Sequence, residues 1–303
     1  YFKKFGFGVK SNVNFLSESP GILRDHTTWK PIDTAKAGYG YTVSASGIQI
    51  VSAYSAIANG GALMQAHLIS KIKYPSGKEN FLAGLREGRN GIERITQFDP
   101  AEYNSQIAGE VKNFNPDDFI DKKESKRMDR YAQLAVAAAK LALNDAGLDL
   151  EKINRERTGV FVGAGIGGMK TLHNQYEKLF SKGPSRISPF FIPMMIANMA
   201  AGNIAIAFKL QGPCECIVTA CASGTNSIGD AYRAIQRGEA DLMFAGGSEA
   251  AISPAGVAGF AQMKALCSDH NDDPAHASRP FDKNRSGFVM GEGAGIEIGR
   301  AHV

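Results

Sequence analysis

The residue of this sequence best placed to act as a nucleophile is Cys221. It follows the β-branched run at residues 217–220, which predicts a short strand, and it precedes a segment with apolar residues at helical spacing that ends at Gly238. The small residues at 222–224 make the connecting turn tight. Because a helix N-terminus favours the thiolate form, this turn predicts a thiol nucleophile. Composition alone favours the alternative, that Cys221 is a small buried cysteine.

A glycine-rich segment is the second candidate for chemistry. Residues 159–162 predict a buried strand, and glycines at 163, 165, 167 and 168 lead from it into a helix. A loop of this kind can hold the phosphates of a nucleotide. Its spacing is GxGxGG rather than GxGxxG, and no second βαβ half with a ribose-binding acid is evident in the sequence. The pattern therefore favours another role.

Further elements must position these two segments. Residues 129–148 predict a long helix that ends near Gly147, and residues 241–246 predict another core strand followed by a turn at 247–249. A glycine-rich loop at 279–295 leads into a last strand, which is expected to break off almost at once.

Composition and charge exclude several classes of protein. The 303 residues carry a net charge of +4, and the basic residues are dispersed, which disfavours nucleic-acid binding. The four cysteines form neither a CxxC pair nor a secreted framework, which favours a reduced, cytoplasmic compartment. The apolar run at 190–210 contains Pro193, Asn198 and Lys209, which disfavours a membrane span. No metal or cofactor is expected.

Several ordered motifs together resemble one enzyme family. They are TACASGTNSIGDAYRAIQRGEADLMFAGGSEA at 219–250, GAGIGG at 163–168, ISPFFIP at 187–193 and RPFDKNRSGFVMGEGAG at 279–295. These are similar to the first half of the β-ketoacyl-acyl-carrier-protein synthases, over about residues 82–296. The resemblance implies an α/β fold of the thiolase type, of which this chain would form the first half of the α-β-α-β-α layers. It also implies a fatty-acid elongation enzyme of type II, with Cys221 as the residue that accepts the acyl group.

The same resemblance implies roles for other residues. Ile166 and Phe191 match acyl-pocket residues, the latter contributed across a homodimer interface, although Phe191 could equally be an ordinary core aromatic. Lys123, Lys126 and Arg127 match residues that contact the acidic acyl-carrier protein, although such a basic cluster is usually a solvated face. The family's condensation step also uses two histidines and a lysine from the second half. None of the six histidines here lies in a matching motif, so this chain is not expected to condense. Half of the family's fold would also expose a large sheet-and-helix face that should be buried, so the chain is expected to be unstable or aggregation-prone.

The two ends of the chain do not resemble the synthases. Residues 1–79 resemble the transpeptidase domain of penicillin-binding proteins, an α+β fold, between its second and third active-site motifs. The Ser-x-x-Lys pattern at Ser70–Lys73 is out of order for that family and is interpreted as a chance match. Residues 298–303 resemble a translated sequencing adapter, so His302 is disregarded. The predicted divisions are 1–79, 80–297 and 298–303, and a transpeptidase fragment or a non-catalytic chimeric product is the alternative. A chain that begins at Tyr1 is also expected to be a fragment.

Overall fold

The computed structural model describes residues 22–23, 43–44, 83–84 and 86–301. The chain divides into two compact units, residues 1–70 and residues 71–303. In the first unit, β1 (Ile22–Leu23) pairs antiparallel with β2 (Val43–Ser44). The Ser70–Lys73 pattern and His302 lie outside the described residues.

The second unit contains a sheet with both parallel and antiparallel strands, and helices lie between these strands along the chain. Its elements are, in chain order, β3 (Glu93–Arg94), β4 (Ile107–Ala108), α1 (Lys122–Ser125), α2 (Arg130–Asp145), β5 (Thr158–Gly163), α3 (Met169–Lys182), α4 (Phe191–Met195), α5 (Met199–Phe208), β6 (Cys214–Glu215), α6 (Ser223–Gln236), β7 (Leu242–Glu249), α7 (Pro254–Gln262) and β8 (Gly293–Arg300). The main sheet has the order β6, β5, β7, β8. Strands β6, β5 and β7 are parallel, and β8 runs antiparallel to β7.

Successive strand residues point to opposite sides of the sheet. The strands carry apolar side chains on both sides, and helices cover both faces. Val160 and Phe244 pack with α2 and α5 in the larger core, whereas Phe161 and Met243 pack with α6 on the other face. Phe244 is fully buried, so its truncation to Ala should cost about 3–5 kcal/mol. The sheet therefore separates α6, the helix that follows Cys221, from α2 and α5.

The long helix is confirmed as α2, with ends defined by local chemistry. Asp129 is its N-cap and accepts a hydrogen bond from Tyr131 N, and Gly147 has a φ of 62° just after the last turn. Asp129 Oδ2 also accepts from Thr171 N at 2.7 Å, which ties α2 to α3. Burial raises the pKa of the Asp129 carboxyl.

Strand boundaries differ from the predictions in three places. The turn predicted at 247–249 is wrong, because β7 continues through Glu249 while pairing with β8. The β-branched run at 217–220 is not a strand, because the chain turns there toward Cys221 and β6 is limited to Cys214–Glu215. The last strand does not break off early, since residues 298–300 continue β8 and pair with residues 242–244.

The sequence disfavours a membrane span for the apolar run at residues 190–210. Across the described ranges, no helix combines the length and apolar character needed to cross a bilayer. The apolar helix α5 has ten residues and buries Ala200, Ala201 and Ile204 in the larger core.

Candidate active site

Cys221 lies in a strained turn that leads directly into α6. The 3₁₀ turn at Ala220–Ala222 runs without a break into the helix, and Cys221 is exposed. The preceding Ala220 has a φ of 51°, in the left-handed region that costs a non-glycine residue about 1–3 kcal/mol. The thiol is thus held at a helix N-terminus and open to solvent.

Ser223 is the residue that holds this elbow. Its Oγ accepts a hydrogen bond from Thr219 N at 2.9 Å and donates one to Ala220 O at 2.7 Å. One partner belongs to the residue before the left-handed Ala220 and the other is the carbonyl of Ala220 itself, so one buried hydroxyl closes the turn from within. Asn226 Nδ2 adds a bond to Thr219 Oγ1 at 2.8 Å. Packing also demands Gly163 at the end of β5, because a Cβ there would lie 2.6 Å from the Ser223 carbonyl carbon.

The glycine turn after β5 presents Ile166 beside the elbow. Glu249 Oε2 accepts hydrogen bonds from Gly165 N and Ile166 N, both at 2.8 Å. A Cβ at Gly165 would lie 3.5 Å from Ala220 O, so the turn adjoins the residue that precedes Cys221. Ile166 is 39% exposed. Burial raises the pKa of Glu249, although nearby backbone N–H groups oppose this shift.

Phe191 is brought to the same region by a backbone contact. It is the first residue of α4 and is half-buried. The end of this helix meets the glycine turn, since Gly168 N donates to Met195 O at 2.9 Å. The segment is fixed to the core by Tyr131, whose hydroxyl donates to Ile196 O at 2.6 Å. The predicted pocket residues Ile166 and Phe191 therefore lie on two segments that are in direct contact.

The predicted carrier-binding cluster is on the surface and touches this segment. Lys123 in α1 and the following Lys126 and Arg127 are all exposed. The Arg127 guanidinium lies 4.8 Å from the centre of the Phe190 ring, next to Phe191 in the sequence. Arg127 also contacts Glu124 at 3.6 Å. The structure thus joins the basic cluster to the segment that carries Phe191.

Sequence reasoning missed several residues that shape the site. Glu249 was assigned to a turn, and the importance of Ser223 was not recognised. The ion pair between Arg130 and Glu292, with a nitrogen–oxygen distance of 2.7 Å, was also missed. Its partners are 162 residues apart, so no local pattern could have revealed it. Among the described histidines, His173 contacts Glu177 and His276 contacts Asp273.

These observations define a class of protein. It is an α/β protein that carries an exposed thiol in a strained turn, at the start of a helix that packs against the sheet. The sequence profile of the β-ketoacyl synthase N-terminal domain matches residues 72–298. A 3-oxoacyl-[acyl-carrier-protein] synthase 2 from Synechocystis sp. is 56% identical over 220 residues, which are 73% of this chain and 53% of that protein. The chain therefore belongs to the β-ketoacyl synthase family.

Solved structures agree with this assignment. A β-ketoacyl synthase from Burkholderia phymatum STM815 matches with a TM-score of 0.66 and 32% identity, covering 74% of this chain and 55% of that one. A type II polyketide ketosynthase in complex with its acyl-carrier protein matches with a TM-score of 0.62 and 26% identity, over 74% of this chain and 54% of that one. The predicted thiolase-like fold is confirmed.

The matches also have limits along the chain. The chain spans about half the length of the curated relatives it matches. The profile of the penicillin-binding protein transpeptidase domain matches residues 1–108 and so overlaps the synthase match over residues 72–108. The α+β fold predicted for residues 1–79 falls mostly outside the described residues.

Proposed function

We propose that this chain carries the acyl-accepting half of a 3-oxoacyl-[acyl-carrier-protein] synthase of type II fatty-acid elongation. The observation that supports this most directly is the exposed Cys221, held at the N-terminus of α6 by a turn with a left-handed residue. The 56% identity to a synthase of that name adds to the proposal. The family assignment supports the reaction type, and the geometry of the elbow supports Cys221 as the acyl-accepting residue.

In the first stage the Cys221 thiolate attacks the thioester carbonyl of an acyl-carrier protein. A bond forms between the acyl carbon and Sγ, and the carrier's thiol leaves with the proton that Cys221 lost. Backbone N–H groups, that of Cys221 among them, stabilise the oxyanion. In the second stage a malonyl-carrier protein loses CO₂, and its enolate attacks the acyl-cysteine and frees the Cys221 thiol. The sequence lacks the histidine motifs of that stage, so we assign only the first stage to the described residues.

The pocket and the partner follow from the same proposal. We assign Ile166 and Phe191 to the acyl pocket, because their segments adjoin each other and the elbow. We assign Lys123, Lys126 and Arg127 to an acidic acyl-carrier protein, since all are exposed. A solved ketosynthase relative binds such a carrier. A homodimer, a cytoplasmic location, no nucleic-acid or membrane partner and domain limits near residues 80 and 297 complete the proposal.

Acyl transfer to the full chain tests this function. The chain is incubated with an acyl-carrier protein and then analysed by intact-mass spectrometry and peptide mapping. We expect one acyl group on Cys221, lost in Cys221→Ala and kept in Cys214→Ala, a control cysteine that is also exposed. An acyl group that persists in Cys221→Ala, or no acyl group at all, would show that the proposal is wrong.

A transpeptidase is the second candidate because residues 1–108 match that profile. The sequence contains none of that family's active-site motifs in order, and Ser70–Lys73 is interpreted as a chance match. We propose that the chain has no transpeptidase activity. A fluorescent penicillin should leave it unlabelled, and covalent labelling that disappears in Ser70→Ala would instead favour the transpeptidase.

A further inference from the structure

A partly buried carboxyl group lies beneath the glycine turn that carries Ile166. Glu249 ends β7, and its Oε2 accepts the N–H groups of Gly165 and Ile166. The N–H groups of Gly167 and Ala250 also act on this carboxyl. Its second oxygen, Oε1, is buried without a hydrogen-bond partner among the described residues. The Glu249 carboxyl therefore binds the backbone of this turn.

The far end of the turn is held by a different segment. Gly168 N donates to Met195 O at 2.9 Å. Gly167 has a φ of 80°, and a Cβ there would lie 2.9 Å from Ala197 Cα, so this position requires glycine. Ile166 stands between the two anchored points, and its own N–H is bound by Glu249. The position of Ile166 thus depends on that carboxyl.

We propose that Glu249 is a specificity-determining positioning residue that sets where Ile166 stands and thereby which acyl chain lengths reach Cys221. This inference rests on the proposed function, because it requires Cys221 to accept acyl groups. Glu249 acts through the backbone of the turn and does not itself touch the acyl group.

The physical reason is the freedom of a glycine-rich turn. Glycines at 163, 165, 167 and 168 give the backbone many accessible conformations, and a gate built on such a backbone needs an external restraint. One carboxyl oxygen that accepts two N–H groups supplies that restraint. A Cβ at Gly165 would lie 3.1 Å from Glu249 Oε2 and 3.5 Å from Ala220 O, so the restrained turn lies against the nucleophile elbow. Loosening the turn should therefore alter access to Cys221.

Hydrogen–deuterium exchange of the full chain tests the restraint itself. In Glu249→Ala, a peptide covering residues 163–170 should exchange about tenfold faster, since two bonds to a carboxyl are lost. Glu249→Gln retains an oxygen that can accept both N–H groups and should restore most of the protection. Ser248→Ala is the matched control, because that hydroxyl bonds to Tyr131 O and not to the turn. Unchanged exchange in Glu249→Ala would overturn the inference.

Chain-length discrimination tests its consequence. Rates of Cys221 acylation are compared for donors with eight-carbon and sixteen-carbon chains. We expect Glu249→Ala to change the ratio of the two rates by about fivefold or more, and Glu249→Gln to restore it. In an Ile166→Ala background the Glu249 effect should vanish, because the gate is gone. Effects that simply add in the double variant, or an unchanged ratio, would contradict the inference.

The two proposals fail in distinguishable ways. A wild-type chain that accepts neither donor would overturn the proposed function, and the role of Glu249 in chain length with it. A wild-type chain that accepts both donors, with a ratio insensitive to Glu249→Ala, would overturn this inference alone.

Discussion

The two turns that meet at the candidate site are held in different ways. The elbow before α6 is closed by Ser223, which bonds to residues three and four positions earlier in the chain. The glycine turn after β5 is anchored by Glu249, 83 or 84 residues away. The first turn is thus a property of a short sequence, whereas the second exists only once the sheet has formed. The proposed nucleophile, Cys221, is thus positioned locally, whereas the proposed gate, Ile166, is positioned by the fold.

The largest effect is expected where a distant contact is also charged. Arg130 binds Glu292 at 2.7 Å, and the Glu292 side chain is fully buried. Arg130→Met would leave that carboxylate without its cationic partner and should lower the free energy of unfolding by about 3–5 kcal/mol. Urea unfolding measures the change.

A local ion pair provides the control for that variant. Lys152 lies 3.4 Å from Asp149 and is 82% exposed, so Lys152→Met should change stability by less than about 0.5 kcal/mol. Equal losses in the two variants would remove the distinction between distant and local contacts.

Breaking the local turn should have an intermediate effect on stability but a direct effect on chemistry. Ser223→Ala removes both bonds of the elbow and should cost about 1–3 kcal/mol. Because Cys221 would no longer be held at the start of α6, its alkylation by iodoacetamide should slow by about tenfold.

Ser227→Ala is the matched control for the elbow. Its buried hydroxyl donates to Ser223 O at 2.8 Å, one turn further along α6. This variant should lose stability without slower alkylation of Cys221. Slower alkylation in both variants would mean that general loosening of α6, rather than the elbow, controls the thiol.

How much of this arrangement a sequence reveals depends on the range of the contacts. The α2 helix, which ends near Gly147, and the turn at Cys221 were predicted because neighbouring residues determine them. The run at 217–220 was predicted as a strand because β-branched residues favour strands. The fold overrides that propensity, since the chain must turn at Ala220, which adopts a left-handed conformation.

Contacts between distant segments were not predictable in the same way. The extension of β7 to Glu249 depends on pairing with β8, more than forty residues later in the sequence. The role of Glu249 follows from that extension, because the end of β7 then lies beside the end of β5. No pattern within either segment identifies the partner.

Titration of Glu249 should distinguish the two turns by pH. Burial raises the pKa of this carboxyl above 4.5, so its contribution to stability is present below that pH and is lost as the pH rises through the raised pKa. Tyr131 and Cys216 interact with it electrostatically, and both stay neutral in this range.

Glu249→Gln cannot titrate, so it should remove this part of the pH dependence. Urea unfolding at several values between about pH 4 and pH 7 should show the wild type losing stability relative to Glu249→Gln as the pH rises. A stability difference that stays constant, or that grows in favour of the wild type, would show that burial does not raise this pKa.

The exposed cluster should affect stability least. Replacing Lys123, Lys126 and Arg127 by Glu should change the free energy of unfolding by less than about 1 kcal/mol, including the loss of the Arg127–Phe190 contact. The KM for an acyl-carrier protein in Cys221 acylation should rise by about tenfold, with little change for an acyl-CoA donor. An equal loss of acylation with both donors would show that these residues do not act by binding the carrier protein.

Locating an acyl chain after its transfer to Cys221 tests directly whether the elbow and the glycine turn form one acyl site. A donor whose chain ends in a photoreactive diazirine is loaded onto the full chain, irradiated and mapped by peptide mass spectrometry. If the elbow and the glycine turn form one acyl site, crosslinks should fall within residues 164–168 and 190–197. Crosslinks confined to other segments, with Cys221 acylated, would show that the two turns do not share a site.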